Sequence, residues 1–228
     1  MEKTLKNTEL TFLEKIVLLA LDDKGWFGPS EHKIKFGLAG AIIFELVQLK
    51  RIEIRDGEIY VTDQKPTGVV VLDRVLNLLK SSKKTRGIRT WLQRIVYKKL
   101  MLRKQILKQL LQKKIVRKEE YSLMIVFYQT KFPLENTEIK RQLREDIYDR
   151  IVGDKILLDQ DLMLLVVMNN CKMVRKNFGG YLQYLKLRGK INEITQFKDP
   201  QTEVEKTIKQ LQTAISRAIM ASNVSIHA

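Results

Sequence analysis

At 228 residues, 44% hydrophobic and 30% charged, the chain is long enough to bury its own core and too apolar to remain disordered. A single cysteine, Cys171, excludes a disulfide framework or a multi-thiolate metal site. MEKTLKNTEL lacks the apolar core of a signal peptide, and no uncharged apolar run reaches the ~18 residues of a spanning helix, so a soluble intracellular protein is expected. The net charge of +16 is concentrated: Ser81 to Lys118 holds fourteen Lys or Arg and no Asp or Glu, whereas residues 1–80 balance twelve of each and residues 119–228 hold sixteen against fourteen.

Taken in order, Thr11 and Glu14 have capping-box spacing and open a first helix, TFLEKIVLLALDD, apolar on nearly every side and hence central. The next segment, KGWFGPSEHKIKFG, reads as a loop broken by Gly25, Gly28-Pro29 and Gly37. Its adjacent Trp26 and Phe27 either tuck into the domain or meet a membrane or ligand. Leu38–Lys50 is a second apolar helix whose Gly40 admits a close neighbour. Asp56-Gly57, between the alternating pairs Ile52/Ile54 and Ile59/Val61, predicts a two-residue hairpin. VVVLDRVLNLLK is a third helix.

The basic stretch is amphipathic rather than tail-like, because Ile88, Trp91, Leu92 and Ile95, then Leu102, Ile106, Leu107 and Leu110, recur through it. It predicts two short helices carrying a positive field aimed at a polyanion, with Lys83, Lys84, Arg86, Arg89, Arg94, Lys104 and Lys108 on the basic surface. Wound as a helix, residues 100–114 place their leucines and Ile106 on an arc of about 180°, with Arg103 inside it. A guanidinium on an apolar arc needs a reason: either a buried ion pair, or a fork held at the mouth of an anion site.

A second hairpin is expected from Ile115 and Val116 through a turn at Arg117–Glu120 and back along Leu123–Tyr128. That return strand is either buried on both faces or exposed as a greasy tip. A helix, a Lys-Lys-Ile or Lys-Arg-Ile step and a hairpin thus occur twice, 63 residues apart, a hint of an internal repeat. Asn136 caps a helix with Ile139, Leu143, Ile147 and Ile151, stopped by Gly153. Asp159–Val174 and Tyr181–Ile194 follow. A last helix after Asp199-Pro200 carries a stripe of Val204, Ile208, Leu211, Ile215 and Ile219. The expected fold is mainly α: a single-domain helical bundle with two β-hairpins, spanning 9–222 between an extension (1–8) and a tail (223–228).

Catalytic chemistry has little to draw on. His32 and His227 are the only histidines, no phosphate-loop, dinucleotide or zinc-protease motif occurs, and the Asp22-Asp23 and Asp159/Asp161 pairs flank helix ends. A non-enzyme without cofactor or metal is expected. Residues 8–63 also read as a winged helix, which keeps nucleic acid as an alternative partner. Its would-be recognition helix, GLAGAIIFELVQ, however, offers base edges almost no donors or acceptors.

Several stretches in order resemble the Golgi phosphoprotein 3 family: LTFLEKIVLLALDDKG, GLAGAIIFELVQLKRIEI, KPTGVVVLDRVL, LRKQILKQLLQKKIV with the following hairpin, and FPLENTEIKRQLRE, together about residues 9–222. The resemblance implies core helices wrapped by amphipathic ones and a peripheral membrane protein that binds phosphatidylinositol 4-phosphate at a basic surface. It also implies an adaptor that holds cytoplasmic tails of membrane proteins and contacts membrane or self-associates through the apolar hairpin, here Leu123, Met124, Ile125, Val126 and Phe127. The family's head-group pocket uses a Trp, an Arg on the second helix and two Arg three apart on the basic helix. The second of that pair falls on Arg103 and the first on Leu100, beside Lys98 and Lys99. The second-helix Arg falls on Ala39 and the Trp near Ser30, just after Trp26 and Phe27. The resemblance therefore assigns the head group to Arg103, Lys99, Lys98 and Trp26. The Golgi members carry a long N-terminal extension that this sequence lacks, which points to a prokaryotic relative with anionic phospholipid as its partner. The expected location is the cytoplasm at a membrane surface, or the cytosolic Golgi face in a eukaryote.

Overall fold

The computed structural model describes residues 9–98, 100–124, 127–153 and 156–224. Helix α1 (Phe12–Ala20) opens on the expected capping box: Thr11 Oγ1 accepts from Glu14 N, and Glu14 Oε2 accepts from Thr11 N at 2.8 Å. All of its residues except Lys15 are buried. Its end lies inside the protein, where unpaired carbonyls would be costly. Three side chains meet them: Asn177 Nδ2 donates to Leu19 O (3.0 Å), Lys176 Nζ to Ala20 O, and Lys140 Nζ to Leu21 O (2.6 Å).

Helix α2 (Glu31–Gln48) begins seven residues before the predicted start at Leu38, after a 3-10 turn at Gly28–Ser30. Gly37 is not a breaker. A Cβ there would stand 2.5 Å from Cys171 Sγ, and one at Gly40 would stand 2.4 Å from Ile215 Cδ1, so both glycines permit close packing within the helix. α2 is the hub of the core. It touches α1, α3 (Val70–Lys80), α4 (Ile88–Tyr97), α7 (Asp159–Asn170) and α10 (Glu203–Val224). Ile208, Leu211, Ile215 and Ile219 of the predicted α10 stripe are buried, and Val204 packs beside them.

Strands β1 (Ile52–Arg55) and β2 (Glu58–Val61) pair as predicted. Asp56 (φ 49°) and Gly57 (φ 76°) sit in the left-handed region that such a tight turn demands. A two-residue strand, β3 (Arg86–Gly87), adds to the other edge of β2 and is too short to leave a periodic signal.

Helix α5 (Leu102–Gln112) lies on α1 and α3. It ends as α2 does. Lys50 (φ 54°) and Lys114 (φ 54°) turn left-handed, Arg51 N donates to Leu46 O and Ile115 N to Leu110 O, each at 2.9 Å. The echo stops there. The second hairpin is displaced from its predicted register: β4 (Glu119–Met124) pairs with β5 (Phe127–Lys131), while Val116 instead bridges to Leu134. Glu119 and Glu120, expected in the turn, therefore stand in a strand, where Glu119 faces Lys131 and accepts from it at 2.7 Å. Of Leu123–Tyr128, expected as one return strand, Leu123 and Met124 fall in β4 and Phe127 and Tyr128 in β5.

Helix α6 (Thr137–Val152) is capped by Asn136, whose Oδ1 accepts from Glu138 N, and ends at Gly153. α7 stops at Asn170 rather than Val174, because Lys172 (φ 56°) turns the chain into the short α8 (Val174–Asn177). α9 (Tyr181–Ile194) has the predicted bounds. Among the described residues the protein is mainly helical, with one three-stranded and one two-stranded antiparallel sheet.

Candidate functional site

A cleft of about 1010 Å³ opens where the loop after α1, the first turns of α2, the α4–α5 junction and the base of the β4–β5 hairpin converge. Local chemistry fixes each wall. Asp22 Oδ1 accepts from Lys24 N and Trp26 N (2.9 Å each), an Asx-type turn that sets the loop. Gly25 (φ 87°) then lets the backbone approach β5's exit, where Phe132 N donates to Gly25 O at 2.9 Å. A Cβ there would meet Phe132 C at 2.3 Å. Trp26 and Phe27 are thereby held at the cleft, Trp26 half-buried and Phe27 8% exposed. At the opposite wall Arg74 Nη1 donates to Leu100 O (2.9 Å), pinning the junction, and Met101 (φ 52°) starts α5 with no side-chain cap.

Arg103 joins the two walls. Its guanidinium carbon lies 4.2 Å from the centroid of the Phe27 ring, and Nη1 lies 2.6 Å from Glu31 Oε1. Nη1 itself is buried, and the Glu31 carboxylate is its charge partner. Arg103 thus has a carboxylate partner, in a half-exposed rather than buried pair, and also lines the cleft. Glu31 is held by a second cation, Lys35, at 3.8 Å one turn along α2.

Of the other expected head-group residues, Trp26 lines the cleft, Lys98 is exposed at the end of α4 and is not part of the lining, and Lys99 lies outside the described residues. On the basic surface Lys83, Lys84, Arg89, Lys104 and Lys108 are exposed and meet no carboxylate among the described residues. Arg86 and Arg94 are half-buried and flank the buried Trp91 indole, at 5.5 and 5.4 Å from its centroid. Elsewhere in the basic stretch Lys113 pairs with buried Glu14 (2.7 Å), Arg117 with Glu119 (2.7 Å) and Lys118 with Glu120 (2.5 Å). Leu123, Met124 and Phe127 lie in the strands that converge on the hairpin tip, whereas Ile125 and Val126 fall outside the described residues.

Glu31 and Lys35 were missed because residues 24–37 read as a loop, and Leu38 because it read as an ordinary core position at the start of the second helix. On a helix they fall at i, i+4 and i+7, one face of α2. Gln129, Thr130 and Phe132 reach the cleft through the tertiary fold of the hairpin, which no local pattern signals. Ala39, where the family resemblance places an arginine, is fully buried and is not in the lining.

Cys171 is buried beside Lys33 O, and burial pushes its thiol up to about 12. His32 meets Asn223 Oδ1 at 2.9 Å. Lys140, 1% exposed, is lowered by burial to about 8 and reaches Asp23 at 3.3 Å. Among the described residues no three His, Cys, Asp or Glu are grouped to hold a metal ion, and no helix is long and apolar enough to cross a membrane. The would-be recognition helix is α2, whose residues Phe36–Phe44 are buried in the core, so that face is closed to a DNA groove.

The family model for Golgi phosphoprotein 3 (GPP34) matches residues 13–214. The chain is similar to vacuolar protein sorting-associated protein 74 of Schizosaccharomyces pombe (strain 972 / ATCC 24843), 26% identical over 176 residues. That match takes in 68% of this chain and 52% of the relative, so the chain spans about half the relative's length.

Proposed function

This chain belongs to the Golgi phosphoprotein 3 family, and on that premise we propose that it is a peripheral membrane adaptor that docks on anionic phospholipid. The observation that carries the reading is the run of exposed cations from the loop after α3 through α4 and α5, Lys83, Lys84, Arg89, Lys98, Lys104 and Lys108, with no carboxylate partner among the described residues. At about 1 kcal/mol for each near an anionic leaflet, such a set suffices for reversible attachment without a tight pocket. Arg103, ion-paired with Glu31 at the cleft, makes direct contact with phosphate, Lys98 and Lys99 assist, and Trp26 anchors at the interface. The Leu123–Phe127 hairpin adds an apolar contact with membrane or with a second copy. Protein sorting, in the relative's name, suits an adaptor that recruits cytoplasmic tails of membrane proteins rather than a catalyst.

Co-sedimentation with phosphatidylglycerol or phosphatidylinositol 4-phosphate vesicles against phosphatidylcholine vesicles, across a salt series, tests this. Binding to the anionic vesicles alone, weakening as the Debye length falls below about 8 Å, is expected. Equal binding to both kinds removes the reading, and a tighter shift of duplex DNA replaces it with nucleic-acid binding.

A further inference from the structure

We propose that the cleft receives one hydrocarbon chain of an anionic glycerophospholipid, its phosphate held at the rim by Arg103 and Lys104. This rests on the membrane reading and names what the site takes in.

The lining divides into two chemistries. Leu38, Ile95, Leu102 and Leu107 are core side chains, and Val96 and Leu100 are half-buried against them, so much of the wall has nothing to offer water. Beside this apolar wall the first turn of α5 presents Arg103 and the exposed Lys104, next to α5's uncapped N-terminal amides. A phosphate alone would satisfy the cations and leave the apolar wall wet. The cleft, at about 1010 Å³, is also at the upper end of the ~300–1,000 Å³ of ordinary ligand pockets and far larger than a head-group phosphate needs.

An acyl chain completes the match. Each methylene moved from water onto an apolar wall raises affinity about fourfold, so even a partly enclosed chain outweighs the contribution of the head. Arg103 Nη1, paired with Glu31 in this structure, exchanges that carboxylate for a phosphate oxygen when the chain below it is seated. Phe27 under the guanidinium keeps the fork from swinging into the cleft it guards.

The test uses the whole chain and 1-palmitoyl lysophosphatidylglycerol below its critical micelle concentration, followed by calorimetry. Glycerol 3-phosphate (head only), lysophosphatidylcholine (chain with a zwitterionic head) and a 12-carbon lysophosphatidylglycerol are the comparators. Expected are one-to-one binding, at least about tenfold loss on shortening the chain by four methylenes, and weaker binding of the zwitterionic lipid. Leu100→Asn should weaken the long-chain ligand, and Lys104→Ala, an exposed site, should weaken both anionic lipids. Glycerol 3-phosphate binding as tightly as the lysolipid, or affinity independent of chain length, overturns the proposal. So does no lysolipid binding by a chain that still sediments with anionic vesicles, and in that case the membrane reading survives. Chain-length-dependent binding without vesicle attachment supports the cleft assignment and removes the membrane reading instead.

Discussion

Replacing Glu31 with Gln should separate what this carboxylate does for the fold from what it does to the site. Its Oε1 stands 2.6 Å from Arg103 Nη1, with the two side chains 43% and 29% exposed. A pair this accessible is worth about 0.2–1 kcal/mol after screening and side-chain entropy. For a chain of this size that corresponds to a melting temperature lower by about 0.4–4 °C. At a membrane the sign reverses. Glu31 is a negative charge in the wall of a cleft whose other charged side chains include Arg103, Lys104, Lys35 and Lys118, so it competes with a lipid phosphate for the same guanidinium. Removing one such charge near an anionic surface is worth about 1 kcal/mol, or roughly fivefold in affinity. Vesicle co-sedimentation with Glu31→Gln, at low salt and again at 0.5 M salt, reads this directly. The gain should be several-fold at low salt and should shrink as screening increases. Unchanged or weaker binding by a variant that remains folded would refute the view that Glu31 is a displaceable counter-ion.

Three further outcomes follow from the fold. Lys50→Gly and Lys114→Gly should each raise the melting temperature, since a left-handed Lys costs about 1 kcal/mol that glycine does not; thermal denaturation of each variant checks this. Gly37→Ala should cost about 1–3 kcal/mol because its Cβ meets Cys171 Sγ at 2.5 Å. Gly37→Ala combined with Cys171→Ala should recover part of that loss in urea unfolding. Lys140, lowered by burial to about 8 against an ordinary 10.5, loses its proton in the folded state before the unfolded state does. The fold therefore bears the full desolvation cost below pH 8 and sheds it as pH rises from about 8 to 10.5, where the unfolded chain still holds the proton. The pH profile of urea unfolding should show stability rising across that window, and Lys140→Met should abolish this rise.

Features that depend on neighbours in sequence were legible. Thr11 and Glu14 cap α1 because both partners lie within one turn, Asp56-Gly57 makes its hairpin because the turn needs left-handed residues, and Asn136 caps α6. Features set across the fold were not. Gly37 reads as a breaker until Cys171 is known to press on it, and the early start of α2 was lost with it. Glu119 and Glu120 look like turn residues until Lys131 is placed opposite. Arg103's position on an apolar arc showed that it needed a partner, but nothing in residues 100–114 pointed to Glu31 or to the Phe27 ring. The positive stretch was visible as charge. That Arg86 and Arg94 are drawn to Trp91, while Lys104 and Lys108 stay exposed, is a property of the packed molecule.

The end of α1 carries an implication for how the molecule is made. Its final carbonyls are met by Lys140, Lys176 and Asn177, between 119 and 158 residues downstream. A nascent chain emerging from the ribosome holds this greasy segment long before those side chains exist, and such distant closures slow folding. The protein's first helix is thus among the last to be sealed, and a chain cut short before residue 140 would leave it open to whatever else is nearby.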